Sequence, residues 1–221
     1  MLKALLFDMD GTLSNTDPIH MLAWQETFRA HEVFVNDAIY HERIVGRMNP
    51  LIVQDFLPHL DDFGVATIVE EKEENFKKLA TKLEPLPGLS RLLEWRVKQG
   101  LQTALVTNAT RLTVPFNLQA LGLDDYFEVR VLADDVPVGK PDPRHYGAAL
   151  ERLGIQASEA IAFEDSPSGV LSATGAGITT IGVTTTQRSE LLKAAGATLT
   201  VPDFTAPELW NFLSQYEKVK V

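Results

Sequence analysis

The chain contains no cysteine among its 221 residues. Disulfides, zinc–thiolate sites and thiol nucleophiles are therefore excluded, which fits a cytoplasmic location without requiring it. No stretch approaches the roughly 20 consecutive apolar residues of a membrane span. The N-terminal apolar run follows a single lysine and is broken at Asp8, so it does not read as a signal peptide. Basic runs are missing too: the net charge is −10, with no interleaving of aromatic and basic residues. That balance argues against nucleic acid and against an anionic membrane surface as partners. Small anionic substrates stay open, because a few cations and a metal can reverse the field inside one pocket. Repeats and low-complexity segments are also absent.

What is present is an ordinary globular composition, 45% hydrophobic and 23% charged. The length suits one domain, or one with a smaller inserted partner. The organising stretch is the first dozen residues. Residues 3–7 are mostly apolar, as in a buried parallel strand, and they stop abruptly at Asp8, Asp10 and Gly11. Two residues apart in an extended segment, Asp8 and Asp10 share a face. Paired like charges are costly unless a cation neutralises them or they share a proton, and hard oxygens suit Mg²⁺. Asp is also common in turns, so Asp-x-Asp alone reads equally as a polar end to a strand.

Thr16 or Asp17 can cap a helix that has Pro18 at its start and runs to about residue 30. Residues 37–84 continue with helical patterns, and no convincing strand appears between 15 and 85. The breaker cluster Pro85-Leu-Pro-Gly88 reads as a hinge. Beyond it helices at 89–99, 111–121, 143–153, 167–176, 187–195 and 207–216 alternate with strands at 101–107, 127–133, 160–163 and 179–183. A short apolar piece lies at 198–201. Repeated β-α-β units predict a parallel sheet with helices on both faces, and a helical insertion after the first strand.

The strand ends carry polar residues of one theme. Thr107-Asn108 precedes a helix, where backbone N–H groups favour an anion, although the same residues serve as ordinary helix caps. Lys140 lies in the turn Gly139-Lys-Pro-Asp-Pro143, a place where a lone lysine is usually solvated. The strand at 160–163 runs into Glu164-Asp165-Ser166-Pro167. Chance capping does not select carboxylates, a hydroxyl, a lysine and more carboxylates at one sheet edge. Phosphoryl transfer does.

These residues resemble the haloacid dehalogenase superfamily, in its phosphatase and β-phosphoglucomutase-like branch with a helical cap. The matches are Asp8-Met-Asp10-Gly-Thr12, Thr107-Asn108, Lys140 in Gly-Lys-Pro-Asp-Pro, and Glu164-Asp165-Ser166 with Ser168-Gly169-Val170. The resemblance implies a Rossmann-like doubly wound α/β core, residues 1–14 and 86–221, with an all-helical cap at 15–85. It implies Asp8 as nucleophile forming an aspartyl-phosphate, and Asp10 as acid/base. Thr107 and Asn108 would hold phosphoryl oxygens, and Lys140 would neutralise Asp8 and the phosphate. Mg²⁺ would be held by Asp8, the Asp10 backbone carbonyl, Asp165 and, directly or through water, Glu164. The cap would hinge near 14–17 and 84–88 and close to exclude water.

The intact Asp10, Glu164 and Asp165 favour phosphoryl chemistry over dehalogenation. His20, Lys72 and Arg47 resemble cap-side substrate ligands of β-phosphoglucomutases, but Gly46-Arg-Met-Asn-Pro50 lacks that pattern's serines and places Arg47 early. The expectation is thus a Mg²⁺-dependent phosphatase acting on a small metabolite, a sugar phosphate or phosphoglycolate-like acid. A phosphomutase comes second, and a catalytically silent binding protein third. A monomer or weak dimer is expected.

Overall fold

The computed structural model describes residues 1–217, so the last four positions of the expected core, 218–221, lie outside the described residues. A six-stranded sheet, parallel throughout, is ordered β3-β2-β1-β4-β5-β6. Its strands are β1 (Ala4–Phe7), β2 (Gln102–Val106), β3 (Val129–Val131), β4 (Ala160–Glu164), β5 (Thr179–Val183) and β6 (Leu199–Val201). Each crossover carries at least one helix, as parallel strands require. This is the α/β doubly wound arrangement that the sequence predicted. Strand order reverses between β1 and β4, and in such sheets ligands bind beyond the strand ends at that point.

The central strands β1 and β4 are almost wholly apolar because helices cover both faces of the sheet. Along β1, Leu5 and Phe7 enter one core with α5 (Leu89–Gln99), α6 (Val114–Leu121) and α10 (Pro207–Ser214). Ala4 and Leu6 enter the other, with Tyr146, Ala149 and Leu150 of α7 (Arg144–Leu153) and Ala173 of α8 (Pro167–Gly175). Phe7 stacks on its β4 register partner Phe163 at 5.0 Å between ring centroids, which locks the two central strands side by side. α9 (Ser189–Ala194) closes the β5–β6 crossover.

Between β1 and α5 the described chain is all helix: α1 (Asp17–Arg29), α2 (Asp37–Arg43), α3 (Asn49–Phe56) and α4 (Asp62–Leu79). These helices bury a cluster of their own that includes Trp24, Phe28, Tyr40, Ile52 and Val69. The two crossings to the sheet run side by side, with Leu86 N–H donating to the Leu13 carbonyl at 2.8 Å.

Several elements are shorter than predicted, including the helices expected at 187–195 and 207–216, which span Ser189–Ala194 and Pro207–Ser214. The helix expected from 111 begins at Val114, because the Arg111 N–H is taken by Asp134 Oδ2 at 2.8 Å and the Leu112 N–H by Thr110 Oγ1. The strand expected at 127–133 pairs only over Val129–Val131; Phe127 turns into the core, and Ala133–Asp135 form a 3₁₀ turn.

His145 on α7 is fully buried, and its Nε2 faces the Leu132 carbonyl at 3.2 Å. Burial, and then the Lys140 charge, push it down to about 4 from its ordinary 6.5. Between those values the unfolded chain binds a proton that the folded chain refuses, so stability falls as pH drops from 6.5 to about 4. Urea melts of wild type and His145→Gln at pH 7 and pH 4 should show their difference moving by about 2–3 kcal/mol in the variant's favour at acid pH.

Candidate active site

Asp8 is the residue after β1, and its N–H extends the ladder to the Phe163 carbonyl at 3.0 Å. The same register sets Asp8 beside Glu164, the last residue of β4, and beside Val106 at the end of β2. Lys140 reaches into this junction from the turn after β3. Its Nζ donates to Asp8 Oδ1 at 2.6 Å, Glu164 Oε1 at 2.5 Å and the Val106 carbonyl at 2.7 Å. Those bonds use all the protons of an ammonium. Lys140, which as a lone loop lysine could have been solvated, is buried.

Charge is crowded here. Asp8, Glu164 and Asp165 each offer a carboxylate oxygen within 4.8 Å of one another. Burial pushes Asp8 up, and Lys140 pulls it back only in part. Burial likewise raises Glu164, to about 7, with Lys140 offsetting and Asp8 adding. Asp165 is pushed well above the usual carboxylate range by burial and then by the Asp8 and Glu164 charges. Burial would discharge Lys140, but Asp8 and Glu164 outweigh it and hold the ammonium above its ordinary pKa. One ammonium thus faces a trio of carboxylates, and hard oxygens left short of positive charge suit a divalent cation.

Two glycines make the cluster possible. Gly11 has φ +79°, and a Cβ there would overlap Asp165 Oδ2. A Cβ at Gly169 of α8 would overlap the Glu164 carboxylate. Glu164 is fully buried and takes no part in the cavity wall. Its Oε1 accepts from Lys140 and, at 2.6 Å, from Tyr146 Oη, while Oε2 has no partner among the described residues. Asp165 accepts from Thr186 Oγ1, which fixes its orientation.

Asp10 faces the helical side. Thr16 is the N-cap residue of α1, as predicted, but its hydroxyl caps nothing and donates to Asp10 Oδ1 at 2.7 Å. His20 Nε2 lies 3.2 Å from the same oxygen, an ion-pair distance rather than an aligned hydrogen bond. Burial works against the Asp10 charge, yet His20, Thr16 and Lys72 outweigh it and hold the carboxyl below its ordinary range. Lys72, on α4, is fully buried, with Nζ 3.0 Å from His20 Nδ1 and 3.1 Å from Glu73 Oε1. His20 stacks on Phe76 at 4.2 Å.

Thr107 and Asn108 do not cap α6, which begins six residues later. Thr107 Oγ1 accepts from Ala109 N–H at 3.0 Å, and Asn108 Oδ1 accepts from Lys140 N–H at 3.0 Å. The Gly46 carbonyl, from the turn between α2 and α3, accepts from Asn108 Nδ2 and Ser168 Oγ at 3.3 Å each. The helical segment is thereby seated on the strand ends.

Asp8, Asp10, His20, Arg47, Lys72, Thr107, Asn108, Lys140 and Asp165 all line one cavity of about 120 Å³. At roughly 10–15 Å³ per water in this measure, that is space for on the order of ten waters, a small molecule rather than a polymer. Arg47 borders it, but its guanidinium is held by Asp55 Oδ2 at 2.9 Å and the Arg43 carbonyl at 2.7 Å. The cavity wall also contains Asp17, Tyr40, Asn49 and Glu73, and Tyr146 supports Glu164 from below. None of these was assigned to the site from sequence: Asp17 reads there only as a candidate helix cap, and the others carry no catalytic motif.

The family's model, haloacid dehalogenase-like hydrolase, matches residues 5–183, and the chain belongs to that family, in its phosphatase and phosphomutase branch. Among curated proteins it is 34% identical over 203 residues to validoxylamine A 7′-phosphate phosphatase of Streptomyces hygroscopicus subsp. limoneus, covering 90% of this chain and 93% of the relative. It is 32% identical over 227 residues to the phosphorylated carbohydrates phosphatase of Thermotoga maritima, covering 97% and 99%. Among solved structures, CbbY from Rhodobacter sphaeroides in complex with phosphate superposes with a TM-score of 0.82 at 29% identity, covering 92% of this chain and 95% of that one.

Proposed function

We propose that the protein is a Mg²⁺-dependent phosphomonoester hydrolase acting on a small phosphorylated metabolite through an aspartyl-phosphate on Asp8. The observation that carries this reading is the Lys140 ammonium bound to Asp8 and Glu164 within a carboxylate cluster that it cannot neutralise alone. Asp8, Asp165 and the Asp10 backbone carbonyl would hold the ion, with Glu164 reaching it through water. When bound, the ion offsets the negative charge of Asp8 and of the phosphoryl oxygens.

Asp8 then attacks phosphorus while Lys140 stabilises the charge that builds on the equatorial oxygens. Thr107 and Asn108 supply further donors. Asp10 gives a proton to the departing ester oxygen and takes one back from the water that opens the aspartyl-phosphate. Its depressed pKa suits the second role, and an approaching phosphate dianion raises it toward the first. The helical segment over the strand ends is read as a cap that opens to admit substrate and closes to exclude water. We place this diffusible-substrate enzyme in the cytoplasm, as a monomer or weak dimer.

A phosphomutase is the second reading. The Lys72–His20–Asp10 line favours it, while Arg47, the grip expected for a second phosphate, is engaged with Asp55.

Purified protein with Mg²⁺ and a panel of phosphorylated metabolites should release inorganic phosphate, and chelation should stop it. β-Glucose 1-phosphate with a trace of the 1,6-bisphosphate is assayed alongside; isomerisation without phosphate release would overturn the hydrolase. Mg²⁺ at about 100-fold over its Kd should also stabilise the fold by about 2–3 kcal/mol. Asp165→Asn should lose most of that stabilisation, a result readable by thermal melts without turnover.

A further inference from the structure

Resting on the hydrolase reading, the cap-side wall of the same cavity narrows the substrate. Glu73 on α4 lines it and is only 2% exposed. Glu73 Oε1 is well used, accepting from Asn49 Nδ2 at 2.5 Å and from Lys72 Nζ at 3.1 Å. Its Oε2 is buried without a donor among the described residues. A buried carboxylate oxygen left without a donor is costly, and a hydroxyl brought by a ligand would satisfy it. Asp17 stands in the same wall, its Oδ1 accepting from Tyr40 Oη at 2.8 Å.

The cations of this wall are already committed. Lys72 lies between Glu73 and His20, Arg47 faces Asp55, and Lys140 is bound to Asp8 and Glu164. A leaving group with its own carboxylate or second phosphate would meet Glu73 and Asp17 with no free positive partner among the described residues. A neutral polyol meets acceptors.

We infer that Glu73 Oε2 receives a hydroxyl of the leaving group, so that the site selects neutral polyhydroxylated phosphate monoesters, of the sugar or sugar-alcohol class, and rejects phosphorylated acids. This separates the two substrate classes that the motifs leave together, against the phosphoglycolate-like one. Glu73 acts here on affinity for the leaving group and takes no part in the chemistry at phosphorus.

The test is equilibrium binding by calorimetry to the full-length Asp8→Asn protein with Mg²⁺, which reads the subsite whether or not the wild type turns over. The ligands are sorbitol 6-phosphate, hexyl phosphate, which lacks the hydroxyls, and 6-phosphogluconate, which adds a carboxylate. Sorbitol 6-phosphate should bind about 10- to 100-fold more tightly than either. Adding Glu73→Gln should weaken sorbitol 6-phosphate and shrink its advantage over 6-phosphogluconate by about 10-fold. Equal binding of the three ligands, or ratios that Glu73→Gln leaves unmoved, would overturn the inference. The ligand comparison in protein that retains Glu73 stands even if the double variant fails to fold. Absence of phosphate release by the wild type would sink the hydrolase reading separately, with these ratios still measurable.

Discussion

Asp8→Asn is expected to lower phosphate release by at least about 1,000-fold while leaving the protein folded. The substitution keeps the shape of the side chain and an oxygen that can still accept from Lys140, so the geometry around Lys140 Nζ survives. What disappears is the carboxylate that would attack phosphorus, and no other side chain can replace it. Asp165 is turned to Thr186, and Glu164 is bonded to Lys140 and Tyr146 and stands back from the cavity wall. Stability should change by less than about 1 kcal/mol, because one of three crowded negative charges is removed and Lys140 retains Glu164. Phosphate release with saturating substrate measures the rate. Acid quenching followed by peptide mass analysis shows whether a phosphoryl group reaches the Asp8 peptide in the wild type and not in the variant. A variant that keeps a tenth of the activity would remove Asp8 from the role of nucleophile.

The sheet was legible because its central strands β1 and β4 are buried on both faces and therefore almost wholly apolar, and because glycines stop the helices between strands. The residues 101–107 and 160–163 became β2 and β4 with shifts of a residue at the ends. β3 was harder, since half its expected length is apolar only because Phe127 and Leu132 fill the core from outside the ladder. The strand-end polar residues were readable as a set, and the structure brings Asp8, Asp10, Thr107, Asn108, Lys140 and Asp165 to one cavity. Local pattern could not reveal what each side chain turns toward. Thr16 looks like a helix cap in sequence, and its hydroxyl goes to Asp10 because the chain after Gly11 folds back there. Arg47 looks like a phosphate grip, and Asp55 one helix later takes it. Tyr146, Tyr40 and Glu73 act through contacts 18 to 24 residues away in sequence, which no spacing within one helix encodes.

Lys140→Met should be the most damaging of these changes to stability, and should cost activity as well. Methionine retains much of the apolar stem but removes every donor that Nζ supplies, leaving Asp8 Oδ1, Glu164 Oε1 and the Val106 carbonyl without it. Breaking a buried ion pair from one side costs about 3–5 kcal/mol, because the remaining charge stays out of water. Here two carboxylates are stranded, and a third, Asp165, lies within reach of both. Their folded-state pKa values already exceed the unfolded ones, so protons bind the folded chain more tightly. Stability supplied by that protonation is present below the ordinary carboxylate range and is lost as pH rises through the folded values, which for Glu164 means from 4.5 toward about 7. Without the ammonium those values move higher still. Urea melts in chelator should therefore show the deficit of Lys140→Met at its largest near neutral pH and shrinking toward acid. Phosphate release should fall by at least about 100-fold, as the equatorial oxygens lose their fixed positive charge. Lys140→Arg should rescue neither property, since a planar guanidinium cannot direct donors to three acceptors converging on one nitrogen. A variant whose deficit is independent of pH would show that the carboxylates around Lys140 were not charged together in the folded protein.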